Sequence, residues 1–252
     1  MIDRNDVDGI TTLRLAHGKA SALDIELLEG LDRSLSEIER SDIRAVVVMG
    51  TGSIFSAGVD LFRLIGEGRP YVEHFFPLLA RSIRKFFLFP RPIVAAANGH
   101  AIAGGCILVA SSDYRLMAAG KGRIGVPELV VGVPFPAVIL EIMRFATAPQ
   151  HLQRVLYTGG TFLPEEALEA GLIDEIAEPA ALESRAMAIA QQLGSLRPDP
   201  FRITKMQLRG EVVQRAARFD DEAALEQWLS PKTHAHIREY LERTVGKSRH
   251  EP

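Results

Sequence analysis

The eight residues IRAVVVMG (43–50) form an almost unbroken run of apolar, largely β-branched side chains. A strand with one face in water alternates polar and apolar residues, and this stretch does not, so it predicts a strand buried on both faces. Such strands are typical of parallel sheets covered by helices. The preceding segment, 21–40, has apolar residues at helical spacing, with Ser21 as the candidate N-cap. These patterns predict an α/β fold.

Strand and helix patterns alternate through the first two-thirds of the chain. Three further strands are predicted, at 9–16, 91–103 and 113–119. From about residue 136 the pattern becomes mostly helical, and the proline-rich segment 196–201 resembles a linker. We therefore predict a core domain over residues 1–195 and a helical region over residues 196–252.

Composition and charge exclude several classes of function. The 252-residue chain has a formal net charge of −3 and a pI near 6.2, so it lacks the positive field that binds nucleic acid. Its single cysteine, Cys106, cannot form an intramolecular disulfide or a cysteine cluster for a metal, which fits a reducing compartment. No apolar run is long enough to cross a membrane, and the first ten residues lack the apolar core of a signal peptide. We expect a cytoplasmic protein without a membrane or nucleic-acid partner.

Two glycine-containing loops follow predicted buried strands. The first is IFSAGVD (54–60), and the second is NGHAIAGGCI (98–107), in which two glycines interrupt an apolar run. Glycines inside a core most often allow two elements to pack closely. The alternative is chemical, because a loop before a helix leaves N–H groups free, and two such loops could direct one N–H each at a single oxygen. That arrangement is an oxyanion hole, and spacing alone leaves both interpretations open.

Five motifs then follow one another in a familiar order: FSAGVDL, RPIVAAANGHAIAGGC, SSDYRL, GVPELVVG and GGTFLPEEALEAGLIDEI. Over roughly residues 10–178, their order and approximate spacing resemble the enoyl-CoA hydratase/isomerase family, which has the crotonase fold. The resemblance implies a ClpP/crotonase-like spiral of ββα units that binds an acyl-CoA, with a C-terminal helical region for trimerisation. It also implies no metal, and no cofactor apart from the coenzyme A of the thioester substrate.

The resemblance assigns roles to both glycine loops. In the family, the residue after the SAG glycine and the middle residue of the GGG motif donate N–H groups to the thioester oxygen, and here these are Val59 and Gly104. Gly105 would let the backbone approach the thioester. The loop 56–58 resembles the part that holds the adenine of coenzyme A, and Asp60 is expected to cap the next helix. The implied substrate-binding residues are therefore Ser56, Ala57, Gly58, Asp60 and Gly105.

The acid–base group is predicted by comparison with the family's hydratases. These carry one glutamate directly after the GGC motif and a second in the PE motif; here the second is Glu128, but Ile107 replaces the first. Two carboxylates suit the addition of water, whereas one suits moving a proton between carbons of the same substrate. Pro134 and Pro136 stand in a stretch that is glycine-rich in hydratases, which removes a backbone donor for water. These departures favour an isomerase.

Other interpretations stay open on the sequence alone. Glu141, which lies 13 residues after Glu128, is an alternative acid–base group, although a helix glutamate is more often solvated or paired with a cation. The protein could instead be a hydratase, or catalyse thioester hydrolysis or dehydration. It could also be a catalytically silent CoA-binding protein, because Ile107 already removes one catalytic group.

The predicted partner is a small acyl-CoA molecule. Its phosphates would meet local cations, although by default the candidates are ordinary surface charges: Lys121, Arg123, Arg202 and Lys205. The C-terminal region also carries large apolar side chains that a single helical layer would leave partly exposed: Phe219, Leu225, Trp228 and Leu229. Exposed apolar patches usually mark interfaces. Together with the resemblance, this favours a homotrimer or a hexamer.

Overall fold

The computed structural model of the chain describes residues 1–244 and contains ten strands and twelve α-helices in that part. The strands are β1 (Ile2–Val7), β2 (Ile10–Leu15), β3 (Ala45–Met49), β4 (Ile54–Ser56), β5 (Ile93–Ala97), β6 (His100–Ile102), β7 (Tyr114–Ala118), β8 (Ile124–Gly125), β9 (Thr161–Phe162) and β10 (Glu175–Ala177). The helices are α1 (Ile25–Glu39), α2 (Leu61–Glu67), α3 (Arg69–Phe87), α4 (Gly104–Ala110), α5 (Glu128–Val131), α6 (Ala137–Ala146), α7 (Leu152–Thr158), α8 (Pro164–Glu169), α9 (Leu182–Gly194), α10 (Pro198–Ala216), α11 (Glu222–Leu229) and α12 (Pro231–Thr244).

The strands form two sheets, and from β3 to β8 consecutive strands alternate between them. The larger sheet has the order β1-β2-β3-β5-β7-β10, and the smaller one has the order β4-β6-β8-β9. Within the smaller sheet, β4, β6 and β8 are parallel neighbours. The chain therefore repeats a unit of one strand in each sheet followed by a helix, as β3-β4-α2, β5-β6-α4 and β7-β8-α5. The predicted α/β architecture of ββα units is confirmed, and α2, α4 and α5 all begin at one edge of the smaller sheet.

The first strand–helix–strand segment matches its prediction except at the helix start. All five residues of β3 are buried, as the unbroken apolar run predicts. The N-cap of α1 is Asp24, whose carboxylate accepts the N–H of Leu27 at 2.8 Å, and not Ser21. The helix starts later than predicted because Leu23 is still extended, in a parallel bridge with Val59. Ser21 instead donates its hydroxyl to the carbonyl of Leu15.

Two parts of the first 118 residues differ from the sequence prediction. The single strand predicted over 91–103 is two strands in different sheets, β5 and β6. The chain turns between them at Gly99, where an added Cβ would lie 1.8 Å from the carbonyl oxygen of Ser53. Neither β1 nor α3 was predicted, and of residues 61–87 only α2, the helix that Asp60 caps, was expected. Pro77 lies inside α3 and weakens its helical signal.

The C-terminal helices pack directly on the core. The predicted linker at 196–201 is wrong, because α10 already begins at Pro198, a residue well suited to the first turn of a helix. Asp113 ties this helix to the core through Lys205 Nζ at 2.6 Å and Arg209 at 2.9 Å. Lys205 is therefore a buried partner of a structural aspartate and not a surface charge that could meet phosphates. Residues 245–252 of the predicted helical region lie outside the described residues.

The apolar residues predicted at an interface divide into two groups. Phe219 is 63% exposed, and Leu225 and Leu229 are half-buried. Trp228 is only 2% exposed, because it packs against the aromatic rings of Phe75 and Phe76 in α3, so its prediction as an interface residue is wrong. Self-association stays a prediction. Of the helices in the described part, none combines the length and apolarity needed to span a membrane.

Candidate active site

Three consecutive ββα units each bring one predicted catalytic residue to the same place. Val59 lies just before α2, Gly104 is the first residue of α4, and Glu128 is the first residue of α5. Because β4, β6 and β8 are parallel neighbours, the helix starts that follow them lie side by side. All three residues line one cavity of about 540 Å³. The structure thus collects the predicted catalytic residues in a pocket of the size that small-molecule ligands occupy.

The two glycine loops are in direct contact with each other. Gly58 has a φ of 83°, and a Cβ at this position would lie 2.6 Å from the Cβ of Ala103. A Cβ on Gly105 would lie 2.4 Å from the carbonyl oxygen of Ser56. Only glycine fits at both positions without displacing backbone or a neighbouring Cβ. The packing interpretation of the glycines is therefore correct, and it places the backbone at 58–59 beside the start of α4.

The backbone N–H groups of Val59 and Gly104 have no acceptor among the described residues. Leu23 bonds to the residues on either side of Val59, so the N–H of Val59 points away from Leu23. Gly104 opens α4, where the first N–H groups of a helix have no intrahelical partner. Ala103, directly before it, has a φ of 51°, a conformation that costs an alanine about 1–3 kcal/mol. Two free donors and local backbone strain thus occur together at this wall of the cavity.

Glu128 is a buried carboxyl group in a largely apolar cavity. It is 8% exposed, and its Oε2 has no hydrogen-bond partner within residues 1–244. Burial raises the pKa of Glu128 to about 8, because removal from water disfavours the charged form. A carboxyl group with such a pKa can both remove and return a proton near neutral pH.

The other two carboxylates that line the cavity already have partners. Asp24 caps α1 and also shares a hydrogen bond of 2.6 Å with His17 Nε2. Asp60 caps α2 by accepting the N–H of Arg63 at 2.9 Å, as the sequence predicts. Ile107 presents an apolar side chain to the cavity, at the position where the family's hydratases carry a glutamate. Glu128 is therefore the unpaired lining carboxylate of the described part.

Glu141, the alternative acid–base group, lies outside the cavity lining. Its carboxylate is 3% exposed and accepts hydrogen bonds from Arg144 Nε at 3.1 Å and Arg215 Nε at 2.9 Å. Arg215 belongs to α10, so this carboxylate joins α6 to the C-terminal helices. Glu141 therefore stabilises the packing of these helices. It does not share the cavity lining with Val59 and Gly104.

The residues expected to bind substrate occupy two layers. Ala57 and Asp60 line the cavity, whereas Ser56, Gly58 and Gly105 lie behind the lining. The Ser56 hydroxyl is buried and donates to the carbonyl of Ser21 at 2.7 Å. Ser56, Gly58 and Gly105 therefore shape the loops. They do not reach the surface of the cavity, where a substrate would make contact.

Several predicted structural residues stay away from the cavity. Cys106 is fully buried, and burial raises the pKa of its thiol far above the ordinary value, which fits the predicted core thiol. His100 Nδ1 accepts the backbone N–H of Arg123 and does not line the cavity. Among the residues described, no cluster of histidine, cysteine, aspartate and glutamate could hold a metal ion.

Sequence reasoning missed one wall of the cavity entirely. Trp228 from α11, together with Tyr240, Leu241 and Thr244 from α12, lines it. These helices were predicted to form an interface, and no motif connects them to the two glycine loops. Helix α11 reaches the cavity by packing against α3, which was not predicted, and α12 does so by packing against α2, α5 and α11. The helical region is therefore part of the site.

Comparison with known proteins identifies the class. The family model described as enoyl-CoA hydratase/isomerase matches residues 6–249. Enoyl-CoA delta isomerase 1 of Rattus norvegicus mitochondria is 26% identical, over 83% of this chain and 73% of that protein. The short-chain-enoyl-CoA hydratase of Clostridium acetobutylicum is 28% identical, over 81% of this chain and 77% of that protein.

A solved structure supports the same assignment at the level of the fold. Human mitochondrial delta3-delta2-enoyl-CoA isomerase superposes with a TM-score of 0.91 at 23% identity, covering 98% of each chain. The expected crotonase fold is thus confirmed. Because the family model matches nearly the whole chain, the protein belongs to the enoyl-CoA hydratase/isomerase family.

Proposed function

We propose that this protein is an enoyl-CoA isomerase, which moves a double bond of an acyl-CoA thioester by means of a single acid–base group. The observation that carries the proposal is Glu128, the unpaired carboxylate in a cavity where Ile107 stands at the position of the hydratases' other glutamate. A hydratase must activate water as well as transfer a proton, and the described cavity offers no second free carboxylate for that purpose.

The proposed reaction begins when the thioester oxygen accepts the N–H groups of Val59 and Gly104. The Glu128 carboxylate removes a proton from the α-carbon of a β,γ-unsaturated thioester, and the electron pair of the broken C–H bond delocalises to give a dienolate. The two N–H groups stabilise the negative charge that develops on oxygen. The Glu128 carboxylic acid then returns the proton at the γ-carbon, which leaves an α,β-unsaturated thioester and regenerates the carboxylate. Atoms and charge balance without water or a cofactor.

Both kinds of relative occur among the similar proteins, so membership of the family does not decide between isomerisation and hydration. The composition of the cavity supports isomerisation. Glu128 is the unpaired carboxylate that lines it within residues 1–244, and the other lining residues are mostly apolar. Pro136, which lines the cavity, has no backbone N–H group to hold a water molecule, and neither has Pro134 two residues before it.

The test compares two reactions of the wild-type protein. A 3-enoyl-CoA reports isomerisation, and crotonyl-CoA reports hydration. We expect isomerisation to exceed hydration by about 10²–10⁴-fold, the contribution of one acid–base group. Faster hydration than isomerisation would refute the proposal and favour the hydratase. Release of free coenzyme A would instead indicate thioester hydrolysis, and binding without any turnover would indicate the silent CoA-binding protein.

A further inference from the structure

The cavity has an exposed mouth and a buried interior. Its exposed lining residues include Gly18, Lys19 and Phe62, whereas the lining residues Leu79 and Trp228 are buried. A CoA ester has a long, charged nucleotide end and an apolar acyl end. The nucleotide end can stay in water only at the mouth, so the acyl chain extends from the thioester towards the buried side.

Trp228 is held in one orientation on that buried side. Its Nε1–H donates to the carbonyl of Pro134 at 2.9 Å. Its ring meets that of Phe76 edge-on, with centroids 5.5 Å apart, and lies 6.4 Å from that of Phe75. The backbone carbonyl of Trp228 accepts a hydrogen bond from His234 Nε2 at 2.9 Å. A side chain fixed by a hydrogen bond and two aromatic contacts cannot easily swing aside for a longer ligand.

Helix α11 is also fixed at its other end. Asp221, at its start, accepts the backbone N–H of Ala137 at 2.7 Å through Oδ1. One end of α11 therefore binds Pro134, in the short segment between α5 and α6, and the other end binds the first residue of α6. Phe135 and Pro136 of this segment line the cavity too. The buried wall at Trp228 is thus held by hydrogen bonds to a segment that begins only a few residues after the carboxylate of Glu128.

We propose that Trp228 closes the acyl-binding end of the cavity and limits the length of the acyl chain that the protein accepts. The inference rests on the proposed function in one respect, that the ligand is an acyl-CoA. One methylene group more or less in a hydrophobic pocket changes the specificity constant by about 10–200-fold. A single rigid indole can therefore set a sharp upper limit on chain length.

The first test uses the fluorescence of Trp228, the only tryptophan in the sequence. Saturated acyl-CoAs from butanoyl-CoA to hexadecanoyl-CoA are titrated into the wild-type protein, and affinity is measured in parallel by calorimetry. We expect Trp228 emission to respond from the chain length that reaches the indole, and affinity to fall beyond that length. If the emission does not change for any ester that binds, the acyl chain does not reach Trp228 and the proposal fails.

The second test removes the wall. In Trp228→Ala, the ratio of kcat/KM for a long-chain 3-enoyl-CoA to that for a short-chain one should rise by about tenfold or more. Trp228→Phe keeps an aromatic ring against Phe75 and Phe76 and should shift the ratio less, in the same direction, so it serves if the alanine variant does not fold. The matched control is Leu229→Ala, a half-buried residue of the same helix outside the lining, which should leave the ratio unchanged.

The outcomes separate this inference from the proposed function. Calorimetry with the saturated esters reports chain-length preference without any turnover. If the protein does not isomerise but Trp228→Ala binds longer esters than wild type, the proposed function fails and the length limit stands. If isomerisation is present and both Trp228 variants keep the wild-type length preference in turnover and binding, the length limit is refuted.

Discussion

Glu128 and Glu141 lie 13 residues apart and are both buried, yet their surroundings differ completely. Each oxygen of Glu141 accepts a hydrogen bond from an arginine, whereas Oε2 of Glu128 has no partner in the described part of the chain. Burying a carboxyl group without a partner costs free energy, and a folded protein keeps such a group where it serves a purpose other than stability. Burial alone therefore does not distinguish the two residues, whereas a place in the cavity lining without a partner does, and this is why we propose Glu128 as the acid–base group.

The same contrast extends to the regions around the two residues. Asp113 pairs with Lys205 and Arg209, and Glu141 pairs with Arg215. All three ion pairs reach α10. These paired charges attach the C-terminal helices to the core. On the cavity side, the groups available for chemistry include the carboxyl of Glu128 and two backbone N–H groups that lack protein partners within residues 1–244.

The largest expected effect comes from Glu128→Gln. The amide keeps the size of the side chain but cannot accept the α-proton, so isomerisation of a 3-enoyl-CoA should fall by about 10²–10⁴-fold. Thermal stability at neutral pH should not fall, because the change removes a buried group that ionises. A variant that is folded by circular dichroism and retains wild-type turnover would show that another group transfers the proton.

Gly104 allows the same contrast to be tested on the backbone. Gly104→Pro removes the N–H, and proline is acceptable at the first position of a helix. Gly104→Ala is the matched control, because it keeps the N–H and adds a Cβ that meets Leu23 Cδ1 at 2.4 Å, a crowding that proline shares. Relative to the alanine variant, the proline variant should lose about 10²–10³-fold in kcat. If both variants lose the same kcat, the loss comes from crowding against Leu23 and not from the missing N–H that would stabilise the oxyanion.

The pH dependence separates the two glutamates through the pKa of Glu128, which burial raises to about 8 from its ordinary value of 4.5. Because the ionised form is the base, kcat/KM for isomerisation should rise about tenfold per pH unit below this pKa and level off above it. Stability moves the opposite way. Below about pH 4.5, Glu128 is protonated in both the folded and the unfolded protein. Between pH 4.5 and pH 8 it is protonated only in the folded protein. As the pH rises through this range, the free energy of unfolding of wild type should therefore fall by up to about 1.4 kcal/mol per pH unit relative to Glu128→Gln.

Kinetics and chemical denaturation across that pH range test both trends. Glu141→Gln is the reference, and its activity profile should coincide with that of wild type. A wild-type profile that is flat between pH 5 and pH 8 would contradict the raised pKa of Glu128.

Local motifs in the sequence identified Val59, Gly104 and Glu128, because each lies in a loop with its own glycine or Pro-Glu signal. The repeat that brings them together was expected only from the family resemblance and not from the pattern of residues, since the second strand of each unit has only two or three residues. A strand so short carries no measurable period. The sequence therefore singled out the candidate residues, whereas their common position follows from pairing of the smaller sheet.

Long-range contacts account for the errors about Trp228 and Lys205. Trp228 was predicted at an interface because its partners on α3 lie about 150 residues earlier in the chain. Lys205 was taken as a surface charge because Asp113 is 92 residues away. Glu141 stayed a rival of Glu128 for the same reason, since Arg215 lies 74 residues beyond it. A partner so distant in sequence cannot be inferred from the residues around a charge.

The smallest expected effect is that of Glu141→Gln, and it tests the structural side of the comparison. The variant leaves Arg144 and Arg215 without their carboxylate, but both arginines are partly exposed and water can solvate them. We therefore expect a loss of only about 1 kcal/mol in the free energy of unfolding, as for partly exposed ion pairs. Isomerisation by the folded protein should stay within about twofold of wild type, since Glu141 does not line the cavity. Urea denaturation and turnover of the same preparation measure both quantities. If Glu141→Gln is the inactive variant and Glu128→Gln remains active, the acid–base group lies on α6, and the contrast between the paired and the unpaired carboxylate does not identify the catalytic residue.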